Sequence, residues 1–285
     1  MPASLYQPEC WLIAEMTNQT PLDWVQHFSR PGKIERIEAY FRGHGYAPHR
    51  HDTYAIGITL GGVQRFQYRS AQRHSVPGTI LVLHPDEVHD GEAGTEAGFH
   101  YRMVYIEPSL IQQILGGKPL PFIEGGLSRD VRLRAAMAPL LQGVGVDTDP
   151  MQEDNALSDL AHALVAVAGL RTVQRQPDFI AVERARAYIN ESVEQGMTLD
   201  TLAAASGLDR WQLCRDFRSL YGTSPYRYLT MRRLAFARRL MMSGRTVAES
   251  ALAAGFFDQS HMSRQFMSAY GVPPARWLKL VRPPR

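Results

Sequence analysis

Ala253-Ala254-Gly255-Phe256-Phe257-Asp258-Gln259-Ser260-His261-Met262-Ser263-Arg264-Gln265-Phe266 is the stretch on which the fold of the C-terminal third turns. Alanines end a helix that can approach a neighbour closely, and Gly255 permits a left-handed turn. Phe256 plugs the junction, and Asp258 is placed to cap the next helix by accepting its free N–H groups. That helix has an inward face (Met262, Phe266) and an outward one (Gln259, Ser260, His261, Arg264). The pattern has a twin upstream. Thr198-Leu199 matches Thr246-Val247, and Ala205-Ser206-Gly207 matches Ala253-Ala254-Gly255, at an offset of 48. Past the glycines the offset is 49, because the second turn carries one extra residue. Arg215 then matches Arg264, Phe217 matches Phe266, Tyr221-Gly222 matches Tyr270-Gly271, Pro225 matches Pro274 and Leu229 matches Leu278.

Each unit is an alanine-rich helix, a glycine turn and a polar-faced second helix, the order of a helix-turn-helix. The second helix of such a unit is the one that enters a major groove. A helical hairpin repeat without nucleic acid is the competing reading. The outward residues favour DNA: Arg210, Trp211, Gln212 and Arg215 in the first unit, and Gln259, Ser260, His261 and Arg264 in the second. Most are hydrogen-bonding types suited to base edges. Around them Arg218, Arg227, Arg232, Arg233, Arg238, Arg239 and Arg245 offer phosphate contacts, which fix register without reading sequence.

The charge divides at the same place. Residues 177–285 hold 16 Lys and Arg against 9 Asp and Glu, a balance of +7. Residues 1–176 hold 15 against 19, a balance of −4, and the two return the net +3 of the chain. A basic part beside an acidic one predicts a polyanion-binding domain joined to something else. The length, 285 residues, suits about two domains. Two cysteines, Cys10 and Cys214, make no disulfide framework and fit a reducing, cytoplasmic setting. The first 20 residues lack a basic n-region, and no apolar run nears the roughly 20 residues of a spanning helix, so neither export nor a membrane is expected.

Upstream, the period changes to two. Ile37, Ala39 and Phe41 alternate with polar or small neighbours, as do Tyr54, Ile56, Ile58 and Leu60, and Phe99, Tyr101, Met103 and Tyr105. Gly61-Gly62, Pro77-Gly78 and Pro85-Asp86 supply turns between them, which predicts a sandwich or small barrel. A helix is expected over about 130–142, with Leu133, Met137 and Leu141 on one face. Asp149-Pro150 opens another, whose stripe is Leu157, Leu160, Ala161, Leu164 and Ala168. That stripe either packs on its own barrel or meets a second copy. Residues 171–177 are polar, end in Pro177 and read as a linker. Beyond it Val182, Ala185, Ile189 and Val193 predict a helix closed by Gly196. Three units follow: 1–170, a linker at 171–177, and 178–285 with helix-turn-helix motifs at 198–219 and 246–268. The fold class is α+β, a barrel with accompanying helices followed by an all-α domain.

Met231-Arg232-Arg233-Leu234-Ala235-Phe236-Ala237-Arg238-Arg239-Leu240, the stretch quoted at the outset, and Tyr270-Gly271-Val272-Pro273-Pro274 together resemble the AraC/XylS family of transcription regulators. The likeness covers about 100 residues. It implies two helix-turn-helix units joined by a helix over about 226–242, entering successive major grooves of promoter DNA. The resemblance also implies that Arg210, Trp211, Gln212 and Arg215, with Gln259, His261 and Arg264, stand at the DNA-reading positions. Met262 departs from the aromatic or leucine usual there, a matter of packing. The likeness also implies a homodimer, and contact with RNA polymerase if the protein activates.

The N-terminal part resembles the cupin-like sensor barrel that precedes this domain in the family. Eight of the 10 histidines lie in the first 100 residues. His49-Arg50-His51 sets two imidazoles on one face of a strand, and His89 follows the turn-rich Leu83–Val88. HxH plus a distant histidine is a metal-ligand constellation, so His49, His51 and His89 are candidates for a divalent metal. The glutamate a metal-binding cupin carries shortly after HxH is absent, since Thr53, Tyr54, Ala55 and Ile56 stand there. The alternative is that these histidines hydrogen-bond within the barrel or line a pocket for a small organic effector, with no cofactor required. Simple alternation puts Tyr54 on the opposite face. No GxSxG elbow, phosphate-cradling loop or nucleophile beside a base is present, so no enzyme is expected. The rival function is a metal-dependent cupin enzyme with a nucleic-acid-binding tail.

Overall fold

The structure is a computed structural model that describes residues 23–29, 34–141, 150–169 and 176–281. Cys10, Asp149 and residues 171–175 of the expected linker lie outside the described residues.

Among the described residues, ten antiparallel strands make two sheets. They are β1 (Trp24–Ser29), β2 (Ile34–Phe41), β3 (His44–His49), β4 (Tyr54–Gly62), β5 (Gln64–Tyr68), β6 (Ala71–Ser75), β7 (Ile80–Leu83), β8 (His89–Ala93), β9 (Phe99–Ile106) and β10 (Leu127–Ser128). One sheet runs β1-β2-β9-β4-β7-β10 and the other β3-β8-β5-β6. The alternation read from the sequence sorts residues between two cores. Ile37, Ala39, Phe41, Ala55, Leu81 and Met103 point inward with Phe66 and Tyr68 of the facing sheet. Ile34, Tyr54, Ile56, Val104 and Ile106 point outward. Three helices cover that outer face: α1 (Pro108–Leu115), α2 (Val131–Met137) and α3 (Pro150–Ala168). Leu157, Leu160, Ala161 and Leu164 of α3 join Leu133 and Met137 there. The α3 stripe is therefore spent on its own barrel.

Seven helices follow among the described residues: α4 (Phe179–Glu191), α5 (Leu199–Ser206), α6 (Arg210–Tyr221), α7 (Pro225–Met242), α8 (Val247–Ala253), α9 (Gln259–Tyr270) and α10 (Pro274–Val281). α4 stops sooner than expected. Ser192 caps it by bonding back to Tyr188 and Ile189, and a turn to Gln195 follows, so Val193 and Gly196 fall outside the helix. Reciprocal capping boxes start α5 (Thr198 with Thr201) and α8 (Thr246 with Glu249). Asp209 accepts from the Trp211 and Gln212 amides, and Asp258 from His261, as the repeat predicts. Helix α7 is shared between units. Tyr228 and Leu229 enter the first core with Leu213 and Phe217, while Leu234, Ala237 and Met241 enter the second with Met262 and Phe266. Truncating Phe217 or Phe266 to Ala would cost about 3–5 kcal/mol, and α7 contributes residues to both of these cores.

The barrel grips both units at the same repeat position. Ser219 of α6 accepts from the Leu120 amide at 3.3 Å, and Ser268 of α9 accepts from the Arg50 amide at 3.0 Å. The glycines that end these helices, Gly222 and Gly271, both have positive φ. A Cβ at Gly222 would stand 2.7 Å from the Pro85 Cβ, and one at Gly271 2.8 Å from the Ala47 carbonyl oxygen. Only glycine permits both the turn and that approach.

Candidate functional site

Two polar surfaces remain open. On α6, Arg210, Trp211 and Arg215 are exposed and Gln212 half-exposed. On α9, Gln259, Ser260 and Arg264 are exposed and His261 half-exposed. The structure thus brings each expected reading set together at the N-terminal end of its helix, the end that meets base edges in this motif. Arg210 leans over Trp211 at 5.5 Å and stands 3.6 Å from Asp200, but that pair is exposed and worth little. Phe257 was not singled out by sequence reasoning. It is the extra residue of the second turn, immediately precedes the Asp258 cap and is 87% exposed. The one-residue slip in the repeat was the signal that could have found it.

The arginines of α7 behave differently, which corrects part of the expected phosphate set. Arg232 lies between Asp52, at 2.8 Å, and Glu107 of the barrel. Arg238 bonds Glu35 at 2.7 Å. Arg227 is buried against the Arg50 carbonyl and Asp86. Arg233 donates to the Val193 and Gln195 carbonyls at 2.9 and 2.8 Å. Their side of α7 faces the barrel and the end of α4, so these four are committed inside the molecule. Arg218, Arg239 and Arg245 stay exposed. Burial opposes the charge of Arg232 and Arg238, yet Asp52 and Glu107, and Glu35, hold the two guanidinium groups protonated. Burial likewise opposes ionisation of Glu35, but Arg238 and His27 hold it well below the usual carboxylate range. Burial lifts Asp52, which is 2% exposed, against the pull of Arg232.

The three candidate histidines do meet. Strand β3 ends at His49, so His51 lies past it rather than on the same strand face, yet the rings gather. Ring centres are 4.4 Å apart for His49–His89, 4.8 Å for His51–His89 and 6.1 Å for His49–His51. Each Nδ1 bonds a backbone carbonyl two residues away: Ala47 at 2.8 Å, Thr53 at 2.9 Å and Glu87 at 3.0 Å. Burial, with the neighbouring imidazoles adding to it, pushes His49 well below its ordinary value and His51 down to about 3; burial alone takes His89 to about 4. All three are neutral at pH 7. Among the described residues no group of three or more His, Cys, Asp or Glu is placed to hold a metal ion. Tyr54 packs away from the cluster, as alternation predicted, and its hydroxyl bonds the Pro121 carbonyl at 2.7 Å.

A cavity of about 420 Å³ opens beside this cluster, between barrel and helices. Its barrel wall includes Glu35, Ile37, Tyr46, His49, His51, Asp52, Tyr105 and Glu107. Its helical wall includes Met231, Arg232, Ala235 and Arg238 of α7, Tyr270 of α9 and Trp277 of α10. His89 supports the cluster from behind and does not line the space. Glu35, Asp52, Glu107 and Trp277 escaped the sequence reading, since residues some 200 positions apart meet only through docking.

Two family models match the chain. The model of an AraC-like ligand binding domain matches residues 31–173, and that of a helix-turn-helix domain matches 202–280. The chain is 26% identical over 232 residues to an uncharacterized HTH-type transcriptional regulator of Bacillus subtilis, YbfI, covering 77% of this chain and 83% of that one. It is 28% identical over 91 residues, 32% of each chain, to the virulence regulon transcriptional activator VirF of Yersinia enterocolitica. ToxT of Vibrio cholerae shares the fold, with a TM-score of 0.64 over 88% of this chain and 99% of its own at 12% identity. One structure of ToxT, with a TM-score of 0.61 over 89% of this chain and 98% of its own at 11% identity, holds an unsaturated fatty acid. No described helix is long and apolar enough to cross a membrane.

Proposed function

The chain belongs to the AraC family of transcription regulators, and from that premise we propose that α6 and α9 read successive major grooves of promoter DNA while the barrel–helix cavity binds a small effector. One observation carries the DNA half of the reading. Two equivalent polar helix faces stay open although the same domain commits four arginines to contacts within the molecule. Arginine and glutamine on those faces match guanine and adenine edges. A homodimer would present two such pairs to two half-sites, and an activating role would add RNA polymerase as a partner. Domain limits at about 170 and 178 suit this division of labour.

The effector half rests on where the cavity lies. Its walls come from both domains, so a ligand there contacts α7 directly. It acts through its differential affinity for two arrangements of barrel and helices. His49 and His51, both neutral, form part of one wall, and the reading assigns the three histidines no metal and no catalytic step. A promoter-fragment gel shift tests the DNA half. Replacing Arg210, Gln212 and Arg215 by Ala abolishes the sequence-specific shift; retained specificity removes α6 from the interface.

A further inference from the structure

Phe257 has no counterpart in the first unit. There Gly207, Leu208 and Asp209 run directly into α6, whereas Gly255, Phe256, Phe257 and Asp258 lead into α9. The turn that carries the extra residue is held on both sides of it. Gly255 has a positive φ, and a Cβ there would stand 2.8 Å from the Glu194 carbonyl oxygen. Phe256 is buried and meets the His261 ring edge-on, with ring centres 5.5 Å apart. Asp258 accepts from the His261 amide at 2.6 Å. Phe257 thus stands between two residues that both touch His261 of the reading set. Phe256 is turned into the core and Asp258 is extended, and between them Phe257 is the most exposed large hydrophobic residue among those described.

The two reading faces also differ in chemistry. Trp211, Arg215 and Arg218 follow one another at i, i+4 and i+7 along one face of α6. The same places on α9 hold Ser260, Arg264 and Met267, and Gln259 stands where the first unit has Arg210. Three exposed guanidinium groups on α6 are thus matched by one on α9, where Met267 and the adjoining Phe257 are exposed instead. Phosphate contacts come from cations, so the second unit depends more on what it meets at base edges.

Base edges in the major groove offer one apolar group, the 5-methyl of thymine. Base faces are already stacked, and parting them costs unstacking energy; an edge contact costs none of it. The N-terminal end of a recognition helix lies at those edges, and Phe257 is two residues ahead of it. We propose that Phe257 is a specificity-determining residue of the second unit, its ring set against the 5-methyl group of a thymine at the edge of the box that α9 reads. The proposal rests on the reading of α9 as a groove-entering helix.

The experiment is selection of binding sites by the full chain from a library of randomised DNA duplexes. The expected site has two boxes about one helical turn apart, one of which Arg264→Ala loses, with a thymine fixed at the edge of that box. Phe257→Ala enriches the same boxes but leaves the thymine position random, and Phe257→Leu, which keeps apolar bulk, retains the preference. On the selected duplex, uracil in place of that thymine weakens the unsubstituted protein about fivefold, the worth of one methyl group kept from water, and leaves Phe257→Ala unchanged. A thymine fixed as strongly in Phe257→Ala overturns the proposal and leaves the DNA reading standing. So does an equal weakening of Phe257→Ala on thymine and uracil duplexes, the mark of a ring against sugar, phosphate or another protein. Two boxes that both survive Arg264→Ala take α9 out of the groove and overturn the reading beneath the proposal. Failure to enrich any sequence overturns both.

Discussion

Arg215 and Arg232 are the same residue type, 17 positions apart in the same basic domain, yet they do opposite work. Arg215 lies exposed on the outer face of α6, free to meet a polyanion. Arg232 lies half-buried between Asp52 and Glu107, holding the barrel against α7. The contrast extends to Arg264 on one side and Arg227 and Arg238 on the other. A basic count therefore overstates the DNA-facing charge. Part of the +7 balance of residues 177–285 is matched, pair by pair, by the acidity of the barrel. The domains are joined electrostatically through the helix that also enters the cores behind both α6 and α9.

The largest effect that can break this contrast is on stability. Arg232→Ala leaves the buried Asp52 without its guanidinium, and the partly exposed Glu107 loses the same partner, a loss of about 3–5 kcal/mol that comes mainly from Asp52. Chemical denaturation should show it, and an unchanged midpoint would mean that the contact is ornamental. Arg215→Ala should leave that midpoint alone and weaken specific binding by about 1–3 kcal/mol. A binding isotherm on promoter DNA measures this, and equal losses for Arg215→Ala and Arg232→Ala in the two assays would erase the distinction. Phe257→Ala sharpens the picture on the DNA side. Because the ring is 87% exposed, stability should hold, while lost contact with thymine methyl groups lowers affinity about fivefold. Fluorescence anisotropy with thymine-to-uracil substituted sites reads that loss, which should vanish where the methyl is absent.

A separate effect concerns pH. His51 and His89 are held down to about 3 and about 4, below the ordinary 6.5, so the unfolded chain binds protons that the folded chain refuses. Stability is whole above about pH 6.5 and falls as pH drops towards 4. At pH 5.5 each imidazole costs about 1 kcal/mol. Unfolding temperatures at pH 7.5 and 5.5 should differ, and the difference should shrink in His89→Phe. A slope untouched by that substitution would place the protons elsewhere.

The repeat was legible because each helix-turn-helix is local. Caps, glycine turns and inward phenylalanines all fall within about 25 residues, and the offset between copies shows even the extra Phe257. The barrel was legible as alternation, although β4 is covered on both faces, which blurs its polar half. The histidine cluster was read in its members but not its setting, since β3 ends at His49 and the rings meet through the bend after it. The cavity was not legible at all. Glu35, Asp52, Arg232 and Trp277 share no local pattern, and only the docking of α7 and α10 on the barrel brings them together. For the same reason the fate of Arg227, Arg232, Arg233 and Arg238 could not be told from that of Arg239 and Arg245 on one helix and its flank.

Methylation interference at guanine N7 tests the central claim most directly, because that atom lies in the major groove. The account predicts two clusters of interfering guanines on one face of the DNA, one helical turn or about 10 base pairs apart. Arg215→Ala should erase one cluster and Arg264→Ala the other. A single cluster, or two that fade together with either substitution, would contradict two helices reading successive grooves.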